Sequence, residues 1–392
     1  MMKPKNEAEL SEMIRATDGP LCVQGGGTRG LRCGGDVLET TDLSGVTLYD
    51  PGALTLVAGA GTTLTEVENL LEKEGQRLAF EPRRLNRLQG TSGETTLGGI
   101  VATNSAGPAR IALGNCADHL LGVRFVNGAG EVVKNGGRVM KNVTGYDLVK
   151  LMAGSHGTLG VMSEVSLKVL PRPETEATLA ISGQSVATAQ ASMAQALGSP
   201  FEVTGAVHIP GGETLLRIEG FEASVTYRAG KLAELTGVEI ASRGEGSRAR
   251  WADLRDLTMF ADHLAAWRIS MKPSDAPEFL DCLNKMHEYD VLLDHGGGQL
   301  WIAANEHHLK LAASYGDDGF TTDTNEGVRV LHAHLQHNAG LESGDALLVK
   351  VPPGLKQELC RFQPQSPALA KIQSGLRGQF DPRGILNSGL MG

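Results

Sequence analysis

The sequence predicts an α+β protein of two domains, in which glycine-rich loops connect short strands and helices. Through the first 173 residues, short apolar runs alternate with amphipathic helical segments. The segment 170–173 (Leu-Pro-Arg-Pro) has two prolines in four residues, a pattern that breaks regular structure. At 392 residues the chain also exceeds the usual size of one domain. We therefore predict one domain over 1–173 and a second domain from 174 to 350.

The first domain shows strand and helix signals in sequence order. Residues 21–23 (Leu-Cys-Val) form a short apolar strand, and 54–61 form a strand that runs into a turn. Thr63 and Glu66 give a capping-box pattern at the start of a helix that Gly75 ends. Further strands are predicted at 121–127, 131–133 and 161–170, with a helix at 146–152.

The second domain mixes helical and strand patterns. Its predicted helices are 187–197 and 226–235, and its predicted strands are 201–203, 214–219 and 300–303.

The most informative loop is 24–29 (Gln-Gly-Gly-Gly-Thr-Arg), which follows the first strand. Glycine readily adopts φ > 0, so successive backbone N–H groups can line a concave anion site. We expect Gly26 to use that left-handed backbone. Thr28 and Arg29 add donors suited to phosphate oxygens. The alternative interpretation is a tight β-turn without a ligand.

Two more glycine-rich loops lie in the same domain. The first is 97–99 (Leu-Gly-Gly), which leads to 104–107 (Asn-Ser-Ala-Gly), and the second is 154–160 (Gly-Ser-His-Gly-Thr-Leu-Gly). Alone, they could be a helix start packed in the core and a connection into a strand. Three such loops together favour an extended ligand that contains a pyrophosphate and is held by main chain.

The segment 59–64 partly matches a dinucleotide fingerprint of the Rossmann type. Gly59 and Gly61 follow a strand and precede a helix, but Leu64 replaces the third glycine. A simple strand-to-helix turn is favoured there.

Composition excludes some classes of function. The formal charge of −9 argues against a nucleic-acid partner, which would require a basic face. Residues 1–16 lack the continuous apolar core of a secretory signal, and no run approaches the roughly 18 apolar residues of a membrane span. The five cysteines are scattered without a CxxC pattern, so any iron–sulfur cluster is expected in another protein.

Several motifs occur in the order typical of one family. They are the glycine run 24–29, the Leu-Gly-Gly element 97–99, the block 140–147 (Met-Lys-Asn-Val-Thr-Gly-Tyr-Asp) and the loop 154–160. Together they resemble the FAD-binding domain of the vanillyl-alcohol-oxidase (VAO) and p-cresol-methylhydroxylase (PCMH) type. Residues 380–387 (Phe-Asp-Pro-Arg-Gly-Ile-Leu-Asn) resemble that family's C-terminal signature.

The resemblance implies a PCMH/VAO-type FAD-binding domain of two α/β subdomains and a smaller α+β cap. It also implies that the C-terminal segment, 351–392, packs on the FAD domain. Within the family, the chain is similar to the E subunits of bacterial glycolate oxidases, which are flavin-linked 2-hydroxy-acid dehydrogenases. The likeness is dense over 20–173 and returns at 380–389.

The resemblance implies that the residues of this chain at the positions of the family's motifs bind the cofactor. These are Gly25, Gly26, Gly27, Thr28, Arg29, Leu97, Gly98, Gly99, Asn104, Ser105, Gly154, Ser155, Gly157, Thr158, Gly160, Val161 and Asn387. Several relatives attach the flavin covalently through a histidine in the first loop. Thr28 stands at that place here, so non-covalent FAD is expected.

Candidates for substrate chemistry are sparse. Related dehydrogenases carry two histidine-rich motifs in the cap, and the comparable place here is 294–301, in which only His295 remains. We expect no metal site. His295 is the candidate base, and Arg268 is the candidate carboxylate anchor, although Arg268 beside Trp267 could equally be a surface cation–π pair.

His332, His334 and His337 are interpreted as a solvated cluster, with the first two on one face if this segment is a strand.

The resemblance implies an FAD-binding subunit of a glycolate or D-lactate type dehydrogenase complex, beside a second flavoprotein and an iron–sulfur subunit. We expect a cytoplasmic chain that lies at the inner membrane only through that complex. Two hypotheses stay open: this chain oxidises the 2-hydroxy acid itself, or it relays electrons or supports assembly while a partner performs the chemistry.

Overall fold

The computed structural model describes residues 1–30, 33–138, 145–285, 288–316, 321–341, 344–352, 355 and 359–391. They form two units. Unit 1 comprises Met1–Gly107, Gly114–Arg172 and Gln365–Gly392, and unit 2 comprises Pro108–Leu113 and Pro173–Pro364. The prediction assigned 351–392 to the first domain, whereas the described part of 351–364 groups with unit 2.

The chain up to residue 172 alternates short strands with short helices, as its sequence pattern predicts. In chain order the elements are α1 (Glu7–Ala16), β1 (Leu21–Gln24), β2 (Asp36–Glu39), β3 (Val46–Asp50), β4 (Thr55–Gly59), α2 (Leu64–Glu72), β5 (Gln76–Leu78), α3 (Asn86–Gln89), α4 (Leu97–Ala102), α5 (Arg110–Leu113), α6 (Cys116–His119), β6 (Leu120–Val126), β7 (Val132–Gly136), α7 (Leu148–Met152) and β8 (Val161–Pro171).

The described part of unit 1 contains two separate sheets. Strands β1 and β2 pair in parallel, with Leu21 opposite Asp36. The larger sheet has the order β3-β4-β8-β6-β7, and β5 also pairs with β8. Every pairing in it is antiparallel. Because a Rossmann domain is built on a parallel sheet, the turn after β4 is the strand-to-helix turn that the sequence favoured.

Local sequence explains how α2 begins and which face it buries. The Thr63 hydroxyl accepts a hydrogen bond from the Glu66 backbone N–H at 3.1 Å, which satisfies one free donor of the first turn. Leu64, Val67 and Leu71 then fall on one face and are buried in the core of unit 1. Gly75, three residues after the helix, has φ of 62°, and this left-handed backbone ends the turn that follows the helix.

The rest of the chain forms longer helices and a larger sheet. Its elements are β9 (Thr175–Ser182), α8 (Val186–Leu197), β10 (Gly205–His208), β11 (Glu213–Gly220), α9 (Glu222–Thr236), β12 (Glu239–Arg243), α10 (Gly244–Asp256), β13 (Ala265–Ser270), α11 (Ala276–Asn284), β14 (Asp290–Asp294), β15 (Gln299–Ala304), α12 (Glu306–Ala313), α13 (Thr324–Leu341), β16 (Asp345–Lys350) and α14 (Pro367–Phe380).

Unit 2 is built on one eight-stranded sheet of order β12-β9-β11-β10-β14-β15-β13-β16. Alternate side chains of these strands enter one core, which includes Leu179, Leu216, Trp267 and Leu300. The intervening residues therefore point to the opposite face of the sheet. This alternation decides where the candidate catalytic side chains of the second domain lie.

The C-terminal segment returns to unit 1 after α14. The Leu21 N–H donates to the Ile385 carbonyl at 2.7 Å, and the Asn387 N–H donates to the Leu21 carbonyl at 2.9 Å. The Arg383 guanidinium donates to the Gly128 and Ile14 carbonyls at 2.8 and 2.6 Å. The last residues of the described chain thus lie beside β1, next to the first glycine loop.

Three sequence predictions differ from the structure or lie outside it. The predicted strand 201–203 is wrong, because Glu202 has φ of 48° and the strand begins only at Gly205. The segment with His332 is helical in α13, so the strand geometry considered for it is wrong. Of the block 140–147, residues 140–144 lie outside the described residues.

A candidate cofactor site

The first glycine loop is held tightly against a neighbouring segment. A Cβ atom placed on Gly26 would lie 1.7 Å from the Glu94 carbonyl oxygen, and one placed on Gly93 would lie 1.8 Å from the Gly26 carbonyl oxygen. The expectation that Gly26 is left-handed is wrong, since Gly27 and Gly30 have that backbone instead, with φ of 69° and 67°. Gly26 must be glycine because two backbones touch there.

This loop forms one side of an open pocket with about 820 Å³ of empty space, part of which is shared with solvent. Glycine, alanine and threonine make up most of its lining. The lining residues are Val23, Gln24, Gly25, Gly26, Gly27, Thr28, Arg29, Gly30, Thr40, Thr96, Gly98, Gly99, Ala102, Thr103, His156, Gly157, Gly160, Val161, Met162, Asn387 and Leu390.

Asn387 joins three segments at this pocket. Its Oδ1 accepts from the Val23 N–H at 2.7 Å and from the Cys33 thiol at 3.0 Å. Its Nδ2 donates to the His156 carbonyl at 2.7 Å. The residue itself is buried and has φ of 46°, a backbone that asparagine tolerates better than most residues. The amide therefore fixes the C-terminal segment to β1 and to the third glycine loop.

Arg29 and Thr28 give the pocket its polar character. The Arg29 guanidinium lines the pocket while its Nη1 donates to the Arg83 carbonyl at 3.0 Å, so the cation is held in place. The Thr28 hydroxyl is buried and accepts from the Thr95 hydroxyl at 3.2 Å. A fixed cation and backbone N–H groups beside close-approach glycines fit the phosphates of a dinucleotide.

The structure brings most of the predicted cofactor residues together. Those that line the pocket are Gly25, Gly26, Gly27, Thr28, Arg29, Gly98, Gly99, Gly157, Gly160, Val161 and Asn387. Their contacts with a cofactor remain predictions.

The other predicted residues are not among those that line the pocket. Leu97 is fully buried in the core, and Ser105 accepts from the Arg83 N–H at 3.2 Å. The Asn104 side chain accepts from the Ala117 N–H at 2.9 Å. The Gly154 N–H donates to the Val101 carbonyl at 3.0 Å, and Thr158 donates to the Ser155 carbonyl at 2.7 Å. These residues shape the loops whose neighbours reach the pocket.

Several pocket residues were missed by sequence reasoning. His156 lies inside the 154–160 run but was not among the predicted cofactor residues. Thr40, Met162 and Leu390 lie outside the glycine runs and reach the pocket through strand pairing and the C-terminal return. No local signal in the sequence marks them.

In unit 2, the candidate base His295 follows β14. Its φ is 54°, and its backbone N–H donates to the Asp294 carboxylate at 2.7 Å. The second Asp294 oxygen lies 3.8 Å from His295 Nε2. Asp294 is fully buried, and its carboxylate lies directly beside the His295 imidazole. The sequence pattern predicted no role for Asp294.

Arg268 lies on the same face of the sheet as Asp294. Trp267 and Ile269 enter the core of unit 2, so Arg268 between them points to the opposite face. The same alternation, with Leu293 in the core, places Asp294 on that opposite face. Since Trp267 and Arg268 point apart, the surface cation–π pair considered for them is wrong.

The strand register also relates Arg268 to Asp294. Asp294 is opposite Gln299 and Gln299 is opposite Ser270, two residues from Arg268. Strand spacing puts the Cα atoms of Asp294 and Arg268 roughly 12 Å apart. Long side chains at that separation can approach one small molecule.

The three histidines near residue 335 do not form a metal site. His332 is buried, with Nε2 2.8 Å from the Cys360 carbonyl and Nδ1 3.3 Å from Trp267 Nε1. Throughout the described ranges, no group of three or more His, Cys, Asp or Glu side chains is arranged to hold a metal ion. His332 instead joins α13 to β13.

Comparison with known proteins identifies the family. The model of the FAD binding domain matches residues 1–136. The glycolate oxidase subunit GlcE of Escherichia coli (strain K12) is 33% identical over 378 residues, which cover 95% of this chain and 92% of that protein. The chain belongs to the GlcE family. The predicted family and PCMH/VAO-type fold are therefore confirmed, and this GlcE-family chain carries an FAD-binding domain.

Other relatives of this GlcE-family chain match shorter stretches. Glycolate oxidase subunit GlcD of Bacillus subtilis (strain 168) is 29% identical over 187 residues, covering 46% of this chain and 38% of that protein. The D-lactate dehydrogenase of Archaeoglobus fulgidus is 30% identical over 191 residues, covering 46% of this chain and 41% of the relative. The chain spans less than half the length of these two proteins.

The fold extends to more distant proteins. An alkyldihydroxyacetonephosphate synthase structure superposes with a TM-score of 0.69 at 14% identity, over 99% of this chain and 76% of that one. This likeness concerns the fold alone. Within the described residues, no helix of the GlcE-family chain combines the length and apolar character needed to cross a bilayer.

Proposed function

We propose that this chain is the FAD-binding subunit of a 2-hydroxy-acid dehydrogenase complex of the glycolate or D-lactate type. In that complex it carries electrons from the hydroxy acid towards an iron–sulfur partner. The observation that supports this most is one pocket on which three glycine loops converge, in a chain similar to GlcE along 95% of its length.

In this proposal FAD is bound non-covalently in the pocket of unit 1. The loop 24–30 and Arg29 would hold the phosphates, and Gly157, Gly160 and Asn387 would line the far side. Thr28 has no nitrogen for a covalent bond to the flavin. When bound, FAD supplies an acceptor for a hydride and its two electrons. The protein's own task is to position the cofactor and exclude water from it.

A second candidate function is that this chain itself oxidises the hydroxy acid. Arg268 in β13 and Asp294 in β14 lie on one face of the sheet, on the two strands that flank β15, with His295 next to Asp294. This arrangement supports that candidate. Arg268 would bind the carboxylate, and His295 would accept the hydroxyl proton. Asp294 would stabilise the proton on His295 after transfer. A third candidate, a non-catalytic assembly subunit, would use none of these groups.

Anaerobic stopped-flow reduction separates these candidates. The isolated chain and the complex with its partner subunits are each mixed with glycolate and with D-lactate, while flavin absorbance is followed. For a relay subunit, the flavin of the isolated chain stays oxidised and that of the complex is reduced. Reduction of the isolated chain at about 1–1000 per second would instead favour self-sufficient catalysis.

The Arg268→Gln variant gives the matched control for that experiment. If this chain oxidises the acid, the variant loses reduction by substrate but keeps reduction by dithionite, because the flavin pocket lies in unit 1. If it is a relay, Arg268→Gln leaves reduction in the complex unchanged. Absence of flavin reduction by both acids, in both preparations, would contradict the proposed substrate class.

A further inference from the structure

Helix α14 is unusual among the longer helices of the described chain. Each of the other described helices of eight or more residues buries at least two side chains, whereas α14 buries none of its 14. Its interior also contains Gly375 and Gly378, which lower helix propensity relative to alanine. Isolated helices of this length are marginal in water, so α14 gains little from the packing it has here.

The exposed face of α14 is apolar. Leu369, Ile372 and Leu376 are 50%, 59% and 37% exposed. At 3.6 residues per turn, the three fall within an arc of roughly 60° and form one continuous stripe. We call these three residues the α14 stripe. Single exposed apolar residues are common, but an aligned set on one helix marks an interaction surface.

The C-terminal end of α14 is anchored to unit 1. The Gly128 N–H donates to the Phe380 carbonyl at 2.8 Å, and the Phe380 ring packs 6.0 Å from the Phe125 ring. Arg377 Nη1 lies 3.4 Å from the Met391 carbonyl. The helix is therefore held at one end in a defined position, which presents the stripe to a partner without a large ordering cost.

The charges on α14 indicate the chemistry of what it binds. The helix carries Lys371 and Arg377 and has no acidic side chain, in a chain whose net charge is −9. An apolar stripe with a basic border is complementary to an apolar groove with an acidic rim.

We propose that the α14 stripe docks a partner subunit of the complex through an apolar groove rimmed by acidic side chains. This inference rests on the proposed function, which places the chain beside a second flavoprotein and an iron–sulfur subunit. The relatives GlcE and GlcD are both named as subunits of glycolate oxidase, which supports the presence of such a partner.

Two other occupants fit the helix less well. Two copies of this chain meeting through α14 would bring Lys371 and Arg377 of each copy together, and the helix offers no carboxylate to offset them. A helix that lies on a membrane has a polar face rich in lysine and arginine. Here α14 has two basic residues among its 14.

The test is assembly of the complex from defined chains. This chain is co-expressed with the second flavoprotein subunit and the iron–sulfur subunit of the same source, and binding is measured after purification. The variant Leu369→Glu/Ile372→Glu charges the stripe. The matched control, Ala370→Glu/Ser374→Glu, adds the same charge at exposed positions roughly 100–140° around the helix from Leu369.

We expect the stripe variant to bind the partner at least about 30-fold more weakly, as for loss of interface hot spots. The control should assemble normally, and both variants should keep the flavin content and circular dichroism of the unmodified chain.

Equal assembly of both variants, or equal loss in both, would overturn the docking surface while leaving the proposed complex intact. Failure of the unmodified chain to assemble would instead overturn the proposed complex itself and the docking with it. Binding to anionic phospholipid vesicles that only the stripe variant loses, with assembly unchanged, would assign the stripe to a membrane.

Discussion

Asn387 shows how one side chain can connect distant parts of a cofactor pocket. Its amide bonds the backbone of β1 at Val23, 364 positions earlier, and the third glycine loop at His156. Asn387 is buried and both contacts are partly buried, so each bonded group would lose its partner if the amide were removed. Unsatisfied buried groups cost about 1–3 kcal/mol each, enough to move a loop that binds phosphate.

We predict that Asn387→Ala weakens FAD binding by about 10- to 100-fold, because each tenfold change corresponds to about 1.4 kcal/mol. Titration of the apoprotein with FAD, followed by flavin fluorescence, measures this. Asn127→Ala is the matched control: Asn127 is also buried and its side chain bonds the Ala129 and Glu131 N–H groups, but it does not line the pocket. Equal FAD affinity in Asn387→Ala and the unmodified chain would show that the pocket is not organised by this amide.

The glycine loops were predictable at the residue scale because their signal is local. A run of three glycines after a strand requires a backbone with close approaches wherever it folds, and Gly26 meets the Glu94 carbonyl for that reason. The exact cause was not predictable, since Glu94 reaches the loop through tertiary packing. Thr40 and Leu390 are ordinary residues brought to the pocket by pairing, so no residue-level pattern could identify them.

At the scale of elements, His332 joins a helix, a strand and the segment after β16. Its Nε2–H donates to the Cys360 carbonyl, and its Nδ1 accepts from Trp267 Nε1. Both ring nitrogens thus have hydrogen-bond partners when the ring is neutral. Protonation would place a hydrogen on Nδ1, which would then face the N–H donor of Trp267. Burial lowers the pKa of His332, and it likewise lowers the pKa of His208 in β10.

This arrangement predicts a loss of stability at mildly acid pH. Because the folded pKa of His332 lies below its unfolded value of about 6.5, the unfolded chain takes up the proton first as the pH falls. The stabilisation is complete above pH 6.5 and declines below it, by up to about 1.4 kcal/mol per pH unit for each such histidine. Urea unfolding between pH 7.5 and 5.0 checks this.

His332→Gln is the informative variant for that series. Glutamine keeps one donor and one acceptor without a titrating group, so the decline with pH should become shallower. His307→Gln, at an exposed position of α12, should leave the decline unchanged. An unfolding free energy that does not fall below pH 6.5 in the unmodified chain would contradict the buried neutral state of His332.

Element prediction succeeded where one periodic pattern dominates and failed where backbone geometry overrides it. The alternation of apolar residues predicted β8, and helical spacing predicted α2. The segment 201–203 has strand-forming residues, but the left-handed Glu202 delays the strand until Gly205. From the sequence, glycine at 205 would be expected to interrupt a strand. It is required here because a Cβ atom at this position would lie 2.7 Å from the Trp251 ring. Only the packed structure shows why glycine is required.

At the scale of the whole molecule, sequence order located the cofactor domain because its motifs are local and ordered along the chain. The division after Arg172 follows the double proline, which is also a local signal. The grouping of 108–113 with unit 2 and the late return at 365 depend on tertiary contacts. The relation of Arg268 to Asp294 likewise emerged only from strand register. The sequence motifs therefore identify the cofactor more closely than they identify the substrate.

Release of flavin on denaturation shows directly whether the pocket in unit 1 binds FAD without a covalent bond. The purified chain is precipitated with acid, and the supernatant and pellet are analysed for flavin by chromatography. We predict a yellow protein that releases close to one FAD per chain into the supernatant, because Thr28 offers no nucleophilic nitrogen and the glycine loops hold the cofactor by backbone contacts. Flavin retained in the pellet would contradict non-covalent binding. A colourless protein that cannot be reconstituted with FAD would contradict the assignment of the pocket itself.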